Sequence, residues 1–386
     1  MKFHPSYLKA TCLAALLGCT VSCIQPILHL PAEEVIVDLP IVIADMEIVW
    51  NLDVDWQTQW HYGWDIEDEE RWGKIEYPIP SSFEVRRYYL GEEAGGPHTN
   101  VDAFSINEKR FRRSYEFGYY DLLIWSNIDS QDGTQVLTID ESSLDEVTAS
   151  TTVTRAIKLG AHETDAPTAL FNQPEIFYSD YPRDIHISHN KEDYDYYDEE
   201  ENVWVKHINS ELRPLVYIYL VQIILHNNDG RVVGINGDCA LSAMASGTSV
   251  NTGKTNNTPC IVYFNTNLKK GLYVENEKVD VIGGKLTTFG LCDMENYIEE
   301  PKSQYQGSRQ DLPNFLYFDL KMSEGSVMNL RSEVTEQCQA QCHGGVITVH
   351  VDCQNLKNID PDEAVGGLFV PSVDDYEELI YDIPLG

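Results

Sequence analysis

The stretch that decides the fold is residues 215–225, LVYIYLVQIIL, the longest apolar run after the N-terminal leader. Gln222 interrupts this run, and its length is about half of what a membrane-spanning helix requires. A short apolar segment of this kind predicts a buried strand. The core of the protein is therefore expected to form around a β-sheet.

Residues 44–56, ADMEIVWNLDVDW, show the clearest alternation of apolar and polar side chains, which predicts a strand with one buried face. Shorter β-branched or aromatic runs separated by turn residues predict further strands at 83–90, 101–106, 110–115, 119–125, 135–139, 151–156, 175–178, 204–207, 231–235, 260–264, 285–289, 315–322 and 345–351. Asn227-Asn228-Asp229-Gly230 predicts a hairpin turn. Helix is expected only at 332–339 and in one or two turns at 140–147. This pattern predicts an all-β fold of antiparallel sandwich type.

The length of 386 residues fits two such domains. We expect a signal peptide at 1–22, a proline-containing linker at 23–40, an N-terminal β-sandwich at 41–203 and a C-terminal β-sandwich at 204–386. The boundary follows an acidic stretch at 192–202, which predicts a solvated loop because its spacing does not fit a calcium-binding loop.

The leader predicts the cellular location. Lys2 and Lys9 precede an apolar core, and small residues then lead to a cysteine, as in a bacterial lipoprotein signal. Either Cys19 or Cys23 is placed for acylation, and several acyl chains on one residue would hold the protein on a membrane without spanning it. We therefore expect a protein attached to the outer membrane and exposed at the cell surface.

Charge narrows the choice of partners. The chain has 27 Lys and Arg against 62 Asp and Glu, a formal net charge of −35. Phosphate backbones would be repelled, so nucleic acid is not an expected partner.

Six cysteines follow the leader, and an oxidising compartment would permit up to three disulfides, with the pairing open. Cys338-x-x-x-Cys342-His343 lacks the second pair of ligands that a structural zinc site needs, so neither a metal nor a cofactor is expected.

The sequence carries no familiar catalytic motif. It contains neither His-Glu-x-x-His nor Gly-x-Ser-x-Gly, and Gly253-Lys254-Thr255 does not have the spacing of a phosphate-binding loop. Acidic residues are so frequent that a pair of carboxylates does not indicate a glycosidase. The expectation is a protein that is not an enzyme.

Two segments are candidates for interaction. Trp56, Trp60, Trp64 and Trp72 fall in a polar, acidic stretch; they either cap the edge of the sandwich or form a surface that stacks on sugars or binds a partner. The C-terminal segment has strand spacing at Leu379, Tyr381 and Ile383. It either completes its own domain or adds a strand to the sheet of a neighbouring molecule.

Four segments carry a resemblance to a known family: residues 28–31 (LHLP) after the leader cysteine, 49–56 (VWNLDVDW), 118–127 (GYYDLLIWSN) and 373–378 (VDDYEE). They resemble a Bacteroidetes surface-lipoprotein family allied to the fimbrillins and fimbrial anchor proteins, over nearly the whole mature chain.

The resemblance implies two tandem transthyretin-like β-sandwich domains, acylation at Cys23 in preference to Cys19, and a role as pilus subunit, anchor or accessory protein. It also implies fimbrial subunits as partners. Fimbrillin stalk subunits lose an N-terminal strand by cleavage after a basic residue, and a neighbour's strand fills the groove. Here the candidate residues Arg86 and Arg87 lie inside a predicted strand, a departure from that pattern. The alternative function is a glycan- or host-binding lipoprotein that uses the four tryptophans.

Overall fold

The computed structural model describes residues 35–43, 59–128, 135–153, 170–294 and 312–356. The first strands in chain order are β1 (Val35–Ile43), β2 (Phe83–Gly91), β3 (Thr99–Ile106), β4 (Arg110–Tyr115), β5 (Gly118–Ser126), β6 (Thr138–Asp140), β7 (Thr148–Ser150), β8 (Leu170–Phe171), β9 (Tyr178–Asp180), β10 (Ile185–Ile187) and β11 (Tyr196–Asp198). The remaining strands are β12 (Val203–His207), β13 (Ser210–Pro214), β14 (Tyr217–His226), β15 (Val232–Ile235), β16 (Cys239–Ala245), β17 (Gly247–Ser249), β18 (Pro259–Phe264), β19 (Asn267–Val274), β20 (Glu277–Thr288), β21 (Phe315–Met322), β22 (Val327–Glu333) and β23 (Gly345–Asp352). The described helices are α1 (Ile66–Trp72), α2 (Thr335–Ala340) and a 3-10 turn at Lys191–Asp193. The predicted all-β class is confirmed.

Four sheets form the described part of the chain. The largest has ten strands, in the order β11-β12-β1-β13-β9-β5-β2-β3, with β10 beside β5 and β4 beside β1. A four-stranded sheet has the order β19-β20-β14-β23, and a six-stranded sheet the order β15-β21-β16-β18-β8 with β22 beside β21. The fourth is a small sheet of β17, β7 and β6.

The four-stranded sheet lies between two hydrophobic cores. In β14 the odd-numbered residues from Tyr217 to Leu225 pack in one core with β16, β18 and β21. The even-numbered Ile218, Leu220 and Ile224 pack in the other with β1, β2 and β5. Both faces of β14 are therefore buried, which is why its sequence is a nearly continuous apolar run.

The predicted domain bounds can be placed on the described strands. The boundary after residue 203 falls at the start of β12, yet β12 and β13 belong to the ten-stranded sheet, because they pair with β1, β11 and β9. The end of the predicted linker, residues 35–40, lies inside β1, since its alternate side chains are apolar and buried.

Three local predictions differ from the structure. The turn at 227–230 does not close a hairpin, because β14 pairs with β20 and β23 whereas β15 pairs with β21 in another sheet. Residues 140–147 contain no helix, and the acidic stretch 192–202 contains β11, which forms a hairpin with β12. The helix predicted at 332–339 is found at 335–340 as α2, whereas residues 332–333 belong to β22.

Several predicted features lie outside the described residues: the leader with Cys19 and Cys23, the strand at 44–56 with Trp56, and the C-terminal segment with Leu379, Tyr381 and Ile383.

Candidate functional site

The N-terminal strand β1 is inserted inside the ten-stranded sheet and paired along both of its edges. One edge runs parallel to β12 and then to β13, and the other runs antiparallel to β4 over Val35–Pro40. Among the described strands, β4 pairs with β1 alone. If β1 left, the edges of β4, β12 and β13 would lose their main-chain partners, and an unpaired edge is a template for another strand.

The side chains of β1 divide between two faces. Val35, Val37, Leu39 and Ile41 alternate along the strand and are at most 4% exposed, so each occupies a slot in the core. Departure of β1 would open these four apolar slots together with the unpaired edges. The site of β1 is therefore a groove that fits a strand with apolar residues at every second position.

A buried carboxylate lies on the opposite face of β1. Asp38 is 1% exposed, and the guanidinium of Arg110 on β4 binds it, with Arg110 Nε donating to Oδ1 at 2.5 Å. His207 at the end of β12 lies on the other side, with Nδ1 at 3.5 Å from Oδ2. Arg110 on β4 thus binds the acid at this position, and the ring of His207 lies near it from β12; a purely apolar strand would leave Arg110 without this partner.

The second candidate is the aromatic segment, residues 59–72. Its rings form a chain of contacts, with centroids 5.5 Å apart for Trp60 and Tyr62, 6.4 Å for Trp60 and Trp64, and 5.3 Å for Trp64 and Trp72. Trp60 and Tyr62 are 7% and 1% exposed and belong to the core, whereas Trp64 and Trp72 are half-buried at its margin. Trp60 is therefore not accessible for stacking on a sugar, whereas Trp64 and Trp72 are partly exposed residues whose indole nitrogens are buried.

Gln222 holds the aromatic segment on the middle sheet. Its side-chain oxygen accepts hydrogen bonds from the N–H groups of His61 and Tyr62, and its nitrogen donates to the carbonyl of Gln59 and to Thr348 Oγ1. The Tyr62 ring packs directly over Gly283 of β20, where a Cβ would lie 2.4 Å from the ring. The amide that interrupts the apolar run at 215–225 thus has a defined structural role.

Charged groups support the same segment. Asp65 and Asp68 form a capping box at the start of α1, and Lys269 Nζ lies 2.5 Å from Asp68 Oδ2 and 2.8 Å from Asp65 Oδ2. The hydrogen bond from Lys269 lowers the pKa of Asp65. Lys285 Nζ donates to the carbonyls of Trp72 and Lys74, and burial lowers the pKa of Lys285 to about 8. These contacts fix α1 and its half-buried tryptophans in place.

A polar cluster that the sequence did not indicate lies elsewhere on the ten-stranded sheet. His98 Nε2 lies 2.9 Å from Asp121 Oδ2, His98 Nδ1 lies 2.6 Å from Asp145 Oδ1, and Tyr181 donates to Asp121 at 3.0 Å. Burial opposes the charge on His98, but the hydrogen bonds to the two carboxylates raise its pKa. The residues come from four separate segments, so no local motif could reveal them.

The sequence permits disulfides, but four of the cysteines are buried free thiols in the structure: Cys239, Cys260, Cys338 and Cys353. Cys342 Sγ lies 3.8 Å from His343 Nδ1, and burial lowers the pKa of His343 to about 4. Within the described ranges, no group of three or more His, Cys, Asp or Glu is arranged to hold a metal ion. In the same ranges, no helix is long and apolar enough to cross a bilayer.

The geometry defines a class: an all-β protein whose sheets are layered around two cores and whose N-terminal strand is inserted into a sheet. No protein-family model matches the chain, and no curated protein matches it.

Solved structures are similar in fold. A candidate adhesin from Bacteroides ovatus is 13% identical with a TM-score of 0.46, and the match covers 84% of this chain and 93% of that one. The fimbrial anchor protein Mfa2 from Porphyromonas gingivalis is 12% identical with a TM-score of 0.39, covering 83% and 92%. The tip fimbrial protein Mfa3 from the same organism is 9% identical with a TM-score of 0.32, covering 77% and 81%. These proteins are of the kind that the sequence resemblance names, and at this similarity they assign no residue roles to this chain.

Proposed function

We propose that the protein is a lipid-anchored structural protein of the cell surface, a fimbrial subunit, anchor or accessory protein that assembles by β-strand complementation and is not an enzyme. The observation that carries this proposal is the position of β1, which fills a groove with two paired edges and four apolar slots. A groove of that form suits a strand from another molecule. The leader predicts delivery to the surface, with acylation at Cys23 or Cys19.

The distribution of basic residues favours an anchor or accessory role over a stalk role. No Lys or Arg occurs between Lys9 and Arg71, so cleavage after a basic residue cannot separate β1 from residues 59–71. A chain cut at Arg71 would still hold β1 through residues 59–62, which hydrogen bond to Gln222. β1 is therefore expected to stay attached to the chain, so a strand from another molecule would have to displace it from the groove.

The location is tested by metabolic labelling with an alkyne fatty acid. The full chain should be labelled, Cys23→Ser should lose the label, and Cys19→Ser is the matched control that should keep it. The reverse pattern would move the anchor to Cys19, and an unlabelled parent chain would refute lipid anchoring. Assembly is tested by deleting the gene, which should remove or shorten a surface appendage; cells with unchanged appendages would contradict the fimbrial role.

A second candidate function is binding of glycans through the aromatic segment. It is favoured by Trp64 and Trp72, which are half-buried with their ring centroids 5.3 Å apart, and by Arg71, whose guanidinium lies 5.4 Å from the Trp72 ring centroid. A glycan array should show binding that Trp64→Ala and Trp72→Ala abolish. Trp204→Ala, which changes a half-buried tryptophan of β12, is the control. An array without binding would exclude this function.

A further inference from the structure

The loop between β6 and β7, residues 141–147, is fastened to the ten-stranded sheet by charged side chains at two points. At its start, the guanidinium of Arg86 on β2 binds the Glu141 carboxylate with two hydrogen bonds, of 2.6 and 3.0 Å. Further along the loop, Asp145 Oδ1 lies 2.6 Å from His98 Nδ1. The Asp145 side chain is 81% exposed, so it can leave His98 for water without being buried elsewhere.

His98 lies between this exposed carboxylate and a buried one. Its Nε2 lies 2.9 Å from Oδ2 of Asp121, which is 4% exposed and also accepts hydrogen bonds from the Tyr181 hydroxyl and the N–H group of Asp184. The charged imidazole has an N–H on each ring nitrogen and donates to both carboxylates, whereas the neutral imidazole has only one N–H. Loss of a donor costs a buried carboxylate more than an exposed one. The remaining proton therefore stays on Nε2, and the unprotonated Nδ1 then faces Asp145 with a lone pair.

His98 is the group in this cluster that changes charge as the pH rises from mildly acidic values. Burial opposes the charge on His98, but the hydrogen bonds to the two carboxylates raise its pKa above the usual value of 6.5. Burial raises the pKa of Tyr88, whose ring centroid lies 5.4 Å from that of His98, to about 12, and it also raises the pKa of Tyr181. The guanidinium of Arg183, a permanent charge, lies 6.0 Å from the Tyr181 ring centroid. Both tyrosines therefore stay neutral while His98 loses its proton.

The closed loop leaves a buried hydroxyl without a partner. Tyr88 is 0% exposed, and its hydroxyl makes no hydrogen bond within the described part of the chain. Leu144 of the loop packs against the core cluster that contains Tyr88 and Trp125. An orphaned buried hydroxyl destabilises the arrangement that buries it, so this group favours any opening that lets water reach the cluster.

We propose that residues 141–147 form a pH-controlled loop, which is closed while His98 is charged and opens at Asp145 when His98 loses its proton. A protein at the cell surface would thereby present one surface in mildly acidic surroundings and another at neutral or alkaline pH. The open form would expose Leu144 and the margin of the core cluster beneath it.

Both ends of the loop keep their contacts when it opens. The two hydrogen bonds between Arg86 and Glu141 do not involve His98. At the other end, the N–H group of Val147 donates to Asn251 Oδ1 at 2.7 Å. The moving part is therefore residues 142–146.

A spin label on the loop tests the proposal. The nitroxide is attached at Ser143→Cys, an exposed position, in the full chain with the leader residues Cys12, Cys19 and Cys23 changed to serine; the cysteines of the described residues are buried. Electron paramagnetic resonance spectra are recorded from about pH 5.5 to about pH 8.5. The ratio of mobile to immobile label should rise about tenfold as the pH passes the pKa of folded His98, because the closed loop loses one charge-assisted hydrogen bond.

Three variants of the labelled chain identify the groups that control the loop. Asp145→Asn should remove the pH response, because a carboxamide accepts a hydrogen bond from the charged imidazole and donates one to the neutral imidazole. His98→Gln should remove it as well, since the titrating group is gone. Glu146→Gln is the matched control: it changes the neighbouring exposed carboxylate of the same loop and should respond to pH as the labelled parent does.

The proposal is overturned if the spectrum of the labelled parent stays the same from acidic to alkaline pH. A response that persists in His98→Gln, or one that disappears in Glu146→Gln, would show that another group controls the loop and would overturn the proposal as well.

Discussion

Replacing Gln222 by leucine should destabilise the protein more than a single side-chain change in a strand usually does. The substitution removes four hydrogen bonds and leaves the N–H groups of His61 and Tyr62 and the carbonyl of Gln59 without their partner. An orphaned buried backbone group costs about 1–3 kcal/mol. Only Tyr62 is fully buried, so the three groups together should cost about 3 kcal/mol of the free energy of unfolding.

Urea unfolding followed by tryptophan fluorescence measures this change, because Trp60, Trp64 and Trp72 lie in the segment that Gln222 holds. Thr348→Val is the matched control: it removes one of the four hydrogen bonds and should cost about 1 kcal/mol. The native emission of Gln222→Leu should also shift to the red as Trp60 gains contact with water. A Gln222→Leu protein that matched the parent in stability and emission would refute the assigned role of Gln222.

Three further predictions concern ionisation. The hydrogen bonds to Asp121 and Asp145 raise the pKa of His98, so the charged His98 should stabilise the fold below the unfolded pKa of about 6.5. This contribution should be lost as pH rises through the folded pKa. The urea midpoint of His98→Gln should therefore decline less over that pH range than the midpoint of the parent protein. Burial lowers the pKa of Lys285 from 10.5 to about 8, so above pH 8 the unfolded chain binds more protons than the folded protein, and the free energy of unfolding should rise with pH. Lys285→Met should lack this rise in the same assay. Burial raises the pKa of Cys239 and of Cys353 to about 12, so a thiol reagent should label both only after denaturant is added; labelling of the native protein would contradict their burial.

Sequence patterns located many strands but not their partners. The predicted segment 110–115 coincides with β4, and β2, β3, β5 and β12 lie within two residues of their predicted bounds, because short apolar or β-branched runs between turn residues are local signals. The turn at 227–230 failed as a hairpin prediction, since its residues specify a reversal of the chain and not the sheet that receives the next strand.

The inserted position of β1 could not be predicted from local pattern. Pro26, Pro31 and Pro40 lie in or just before β1 and are typical of a linker. The strands that pair with β1, namely β4, β12 and β13, lie about 70 or more residues away in the sequence. The tryptophans could either cap the sandwich or form a binding surface. Trp60 packs in a core, whereas Trp64 and Trp72 are partly exposed.

Because both faces of β14 are buried, this strand couples the unfolding of the two cores. Each hydrophobic core packs against one face of β14. Unfolding of either core would therefore remove part of the packing of the other. The two halves should therefore share a single calorimetric peak, and a fragment that begins near residue 203 should aggregate through the bared face of Ile218, Leu220 and Ile224.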